Sequence, residues 1–194
     1  MPSERPASIE PQESQPNVIK VGPKDAARLQ AIQQSAVEHA SGVLLNPEKW
    51  ADMPPEEREE LLRDPNTVFF VAERDGVFIG MVRLFKALPT QELEDKELQD
   101  EQGEVWKIGS VYTMPEFRGQ GITPTLINRA IEEARARGAA RVGLITQTHL
   151  DAVKLYQSLG FEAEETYIDT NDENKEKVHM YLNLQKTGTQ QDSS

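Results

Sequence analysis

The chain contains no cysteine. That absence excludes disulfides, thiolate metal sites and a cysteine nucleophile together. There is no Asn-x-Ser/Thr sequon, and no apolar run is long enough to span a bilayer. The opening segment MPSERPASIEPQESQPN has no apolar stretch of the kind found in secretion signals. These absences predict a soluble, cytoplasmic protein with no membrane partner. Histidines number three, and no trio of residues has metal-ligand spacing, so no metal is expected. Basic charge is also short, with 21 Lys+Arg against 33 Asp+Glu and a net charge of −12. General nucleic-acid binding needs a basic footprint and is therefore not expected. The acid excess serves either solubility or the attraction of cationic partners.

The 194 residues suffice for one well-cored domain. Residues 1–17 and 185–194 are polar and read as disordered tails around a single domain at 18–184. VIKV (18–21) reads as a strand, and Leu29, Ile32, Ala36 and Ala40 keep helical spacing. Pro54 and Pro55 open a second helix, with acids in its first turn, that ends at Asp64-Pro65. Strands at 67–73 and 77–85 flank Arg74-Asp75-Gly76, whose Asp-Gly pair signals a hairpin. Residues 88–103 form an acidic connection before a strand at 104–113. A helix at 123–137 places Ile127, Ala130, Ile131 and Ala134 on one stripe and stops at Gly138. A strand at 141–147, a helix at 149–160 and strands at 163–168 and 177–184 complete the chain, the last two joined by the polar loop 169–176. The expected architecture is α/β: one mixed sheet of about six or seven strands flanked by about four helices.

The stretch VYTMPEFRGQGITP (111–124) turns from a strand into that helix through two glycines. Glycine corners that open helices hold phosphate, because unpaired N–H groups and the helix dipole point at the anion. A P-loop needs Gly-x-x-x-x-Gly-Lys-Ser/Thr, which is absent. A dinucleotide fingerprint needs a third glycine where this chain has Pro124, which disfavours a nicotinamide-dependent enzyme. Arg118-Gly119-Gln120-Gly121-Ile122 instead resembles the pyrophosphate loop, Gln/Arg-x-x-Gly-x-Gly/Ala, of the GCN5-related N-acetyltransferase (GNAT) superfamily. The helix after it, the strand RVGLITQ and the segment AVKLYQSLGFE resemble that family in order and spacing.

The resemblance implies the GNAT fold, acetyl-CoA as acyl donor, and direct acetyl transfer to an amine acceptor, more readily a small molecule than a protein lysine or N-terminus. A non-catalytic acyl-CoA-binding module on the same fold is the alternative. The chain would be a monomer or homodimer. In this reading the amides of residues 119, 121, 122 and 123 cradle the diphosphate, and Arg118 either contacts phosphate or ties the loop down. Gln120 and Ile122 complete the loop. Thr123 stands where the family has Gly or Ala, and Pro124 lacks an N–H. Thr123 as N-cap and Pro124 at the first helical position make a sound helix start. The Thr123 hydroxyl either replaces the missing donor or is occupied by capping.

Val111 and Thr113 lie on the strand edge expected to polarise the thioester. Tyr156 matches the family tyrosine that protonates departing CoA. A phenol near pKa ~10 and a thiol near ~8.5 make that transfer nearly balanced. His149 stands where the family has an asparagine that holds the CoA arm. Glu104 is the candidate base, although one residue of register reverses its face. The acceptor should be chosen by residues 24–63, 88–103 and 169–176. The acids of 88–103 act either as an attractant for a cationic amine or as a solvated charge run.

Overall fold

The computed structural model describes residues 16–39, 50, 52–87, 104–148, 151–170 and 173–184. The expected tails at 1–15 and 185–194, the acidic connection at 88–103, Ala40 and His149 lie outside these residues. Asp75 and Gly76 take left-handed φ angles of 52° and 79°. Two such residues in succession make a hairpin turn whose twist matches that of its strands. They join β2 (Thr67–Arg74) to β3 (Val77–Lys86). The outer neighbour of β2 is β1 (Asn17–Lys20), which begins one residue inside the expected tail. The inner neighbour of β3 is β4 (Val105–Thr113). The remaining strands are β5 (Arg141–Gln147), β6 (Glu162–Asp169) and β7 (Lys175–Asn183). The sheet order is β1-β2-β3-β4-β5-β7-β6, with β4 and β5 parallel and the other pairs antiparallel. The expected mixed sheet is present.

Helices cover both faces. α1 (Ala26–His39) buries Leu29, Ile32 and Ala36 against Phe69, Val71 and Met81. α2 (Pro55–Arg63) adds Leu61 and Leu62 to that layer. On the other face α3 (Ile122–Ala136) buries the stripe read from the sequence, extended by Leu126. α4 (Ala152–Ser158) joins it and is shorter than the expected 149–160. Phe69 and Phe70 are adjacent in β2 and fully buried in opposite layers, as strand alternation requires. α3 sits so close to β3 that a Cβ on Gly80 would meet Ile122 Cγ2 at 2.9 Å and Leu126 Cδ1 at 3.1 Å. Gly80→Ala should therefore cost about 1–3 kcal/mol of stability, seen as an earlier urea midpoint at unchanged slope.

Two irregularities of β4 open the middle of the sheet. Arg83 pairs with Gly109 and Met81 with Tyr112, so β4 carries one extra residue opposite Val82. Ser110, inside this bulge, has φ 49°. The parallel ladder to β5 ends at Lys107↔Gly143. Beyond it β4 has no ladder partner on that side among the described residues, and residues 108–113 form an opened strand edge.

Candidate active site

After β4 the chain makes a short 3₁₀ turn, Pro115–Phe117, and reaches Arg118 in extended conformation. Gly119 (φ 77°) and Gly121 (φ 75°) then take left-handed conformations that suit glycine. Gly121 is the N-cap of α3, and its carbonyl accepts the Thr125 N–H at 3.2 Å. This corrects the expected helix start. Thr123 is not the cap but lies in the first turn, and Pro124 stands third rather than first. Proline is still tolerated there, because that turn has no intrahelical N–H bond to lose. The Thr123 hydroxyl is not capping. It pairs with the Thr113 hydroxyl of β4 at 2.9 Å, a long-range contact that no local motif could reveal.

The amides of residues 119, 121, 122 and 123 donate to no backbone carbonyl among the described residues. They border an open cavity of about 290 Å³ lined by Thr113, Phe117, Arg118, Gly119, Gly121, Ile122, Thr123, Pro124 and Leu155. Nothing lies within 4 Å of where a Cβ would stand on Gly119 or Gly121. A helix N-terminus with several free amides around an open hollow suits an anion with several oxygens. Arg118 ties the loop down, its Nε donating to the Thr113 carbonyl at 3.2 Å. Arg74, at the end of β2, donates to Gln120 Oε1 at 3.1 Å and lies 5.4 Å from the Phe117 ring centre. Sequence reading missed Arg74, because the two residues in contact stand 46 apart in the chain.

Leu155 brings α4 to this cavity, and its neighbour Tyr156 is 7 % exposed. The Tyr156 ring meets Phe161 edge-on at 6.0 Å. Burial pushes its phenol up to about 12. The near balance with a thiol inferred from sequence therefore fails: full proton transfer to a thiolate is uphill, whereas donating a hydrogen bond is not. Val111 and Thr113 both belong to the opened edge of β4.

Glu104 is not brought to this group. It precedes β4 by one residue, roughly 23 Å of extended strand from Val111. Its carboxylate accepts from Lys86 Nζ and, at 2.9 Å, from Trp106 Nε1. Those two bonds, Lys86 first, hold its carboxyl below the usual range. Trp106 packs in the layer of α3 and α4, so Glu104 is on that face. The opposite face carries Tyr112, whose hydroxyl lies 3.0 Å from Ser35 Oγ of α1. His179, whose facing the strand pattern alone does not decide, lies between Tyr167 and Tyr181, with ring centres at 5.0 and 6.4 Å.

A model of the acetyltransferase (GNAT) family matches residues 31–161. A Methanocaldococcus jannaschii protein, described as an uncharacterized N-acetyltransferase, is 35 % identical over 106 residues, 54 % of this chain and 43 % of that protein. Less than two thirds of that relative's length is therefore spanned. Among solved structures, the ribosomal-protein-alanine N-acetyltransferase of Brucella melitensis superposes with a TM-score of 0.68 at 25 % identity, covering 87 % of this chain and 99 % of that one. The PaiA N-acetyltransferase of Thermoplasma acidophilum, solved with coenzyme A, gives a TM-score of 0.64 at 17 % identity over 88 % and 99 %.

Proposed function

This chain belongs to the acetyltransferase (GNAT) family, and on that premise we propose that it transfers acetyl from acetyl-CoA directly to a small-molecule amine. The observation that carries this reading is the set of four amides, at residues 119, 121, 122 and 123 around the cavity below β4, that have no backbone acceptor among the described residues. They suit the diphosphate of CoA. The hollow continues toward Leu155, which leads the thioester arm past Tyr156 into the wedge between β4 and β5.

The amine lone pair attacks the thioester carbonyl carbon, the C–N bond forms, and negative charge develops on the carbonyl oxygen. Amides of the opened edge around Val111 and Thr113 stabilise that oxygen, a contribution of about 3–4 kcal/mol per well-placed donor. As the C–S bond breaks, CoA leaves as the thiolate, accepting a hydrogen bond from the Tyr156 hydroxyl. Water takes one proton from the incoming ammonium before attack and a second as the C–N bond forms. We assign no part of this step to Glu104, which stands before β4, roughly 23 Å along the strand from Val111, and is committed to Lys86 and Trp106. His149 serves to hold the CoA arm, a role supported by its place in the sequence.

The Thr113–Thr123 pair answers for the amide that Pro124 lacks. Of two bonded hydroxyls one donates, and the other keeps its own proton free. With Thr113 donating, Thr123 O–H offers the cavity a donor. Thr123→Val should weaken CoA binding about tenfold by calorimetry, with little change in stability.

The test of the whole reading is twofold. Calorimetry should show CoA and acetyl-CoA binding, and thiol release from acetyl-CoA should depend on an added amine. No binding at millimolar ligand would reject it.

A further inference from the structure

Arg83 projects from β3 onto the face of α1 and α2, beside Gly109 of β4, where the bulge begins. Its guanidinium carbon lies 4.5 Å from the Phe85 ring centre, 4.9 Å from Trp50 and 5.9 Å from Phe69. Among the described residues it forms no ion pair. Among those residues its one hydrogen bond is a long one, Nη2 to Thr67 Oγ1 at 3.4 Å, and its Nε is buried without an acceptor. Asp64 acts on it through space. Its carboxylate already accepts from the Asn66 amide at 2.9 Å and from the Thr67 hydroxyl at 3.4 Å. Burial lowers the Arg83 pKa to about 10, yet the group stays charged at neutral pH.

A second buried arginine braces this one. Arg58 of α2 donates to Gln33 Oε1 at 3.1 Å and to the Trp50 carbonyl at 2.9 Å, which fixes the indole beside Arg83. A guanidinium held by aromatic rings with donors unspent is prepared for a planar anion. Its place is on the face opposite α3 and the CoA loop, next to a strand position without a side chain.

We propose that Arg83 selects the acceptor, and that the amine acetylated by this protein carries a carboxylate that seats on the Arg83 guanidinium. This rests on the acetyltransferase reading above. The guanidinium leans toward Phe85 and Thr67, between the levels of Gly109 and Lys107 on β4, roughly 7–13 Å along the strand from Val111. Amine and carboxylate are then joined by a short chain, the scale of an amino acid or a short ω-amino acid rather than of a polyamine or a protein lysine. The local charge thus runs against one of the two readings of the net charge of −12, the attraction of a cationic partner: the cation is on the protein and the anion on the acceptor.

The experiment uses the full chain, acetyl-CoA and a panel of free amino acids and short ω-amino acids. Each is paired with its carboxamide, and spermidine and a lysine peptide are added. The wild type should favour the best acid over its amide by about 100-fold in kcat/KM, since a site built to bond a group rejects the analogue that lacks it. Arg83→Met keeps the apolar stem and should shrink that preference to within about threefold through KM, with acetyl-CoA affinity unchanged. Arg83→Lys should retain part of it, and it carries the test if the methionine variant does not fold.

Three results would overturn the inference while leaving the acetyltransferase reading intact. They are equal use of amides or spermidine by the wild type, acetylation of no carboxylate-bearing amine despite acetyl-CoA binding, and equal loss of acid and amide turnover in the variants. Failure of the wild type to bind acetyl-CoA would remove the underlying reading itself.

Discussion

Gly121→Val is expected to weaken CoA binding at least 100-fold. The residue has φ 75° and ψ 9°, and the space around its Cβ position is open, so the effect is one of backbone conformation rather than collision. A left-handed conformation costs an L-residue about 1–2 kcal/mol, and a β-branched one adapts least. The corner relaxes toward negative φ, and the amides of residues 121, 122 and 123 no longer converge. A hydrogen bond to a charged group is worth about 1.5–3 kcal/mol, so losing two corresponds to 100-fold or more. Calorimetry with CoA measures it. Gly121→Asn is the control, because asparagine tolerates this region and should keep most of the affinity. If valine at this position binds CoA within threefold of wild type, the loop is an ordinary surface turn.

Tyr156→Phe should lower kcat about 10- to 100-fold while leaving the Kd for CoA in place. The change removes one hydroxyl and keeps the ring against Phe161, so thermal stability should hold. With the phenol pushed up to about 12, the group stays protonated across the working range. Tyrosine ionisation should therefore put no falling limb on kcat below about pH 11. An unchanged kcat in Tyr156→Phe would leave the residue as packing only. Absence of any turnover in both proteins, with CoA still bound, would favour a binding module without catalysis.

Much of the frame was legible because its signals are local. The Asp75-Gly76 turn, the α3 stripe and the apolar run of β5 each encode an element within ten or so residues. The glycine corner was readable for the same reason, since left-handed backbone is a property of single residues. Glu104 shows where this ends. Its face depends on strand register, and register depends on partners from distant segments.

Taken alone, the sequence determined the order of elements, the position of the glycine corner and the tyrosine on the helix beside it. Short-range sterics and hydrophobic period are written in neighbouring residues. Only the tertiary structure decided that the Thr123 hydroxyl pairs with Thr113, that Arg74 braces Gln120, and that Arg83 stands charged among three aromatic rings. Those contacts, and the desolvation that moves the Tyr156 proton affinity, arise from chain segments meeting across a sheet. Composition records an average charge, whereas the fold sets the charge at each place on the surface.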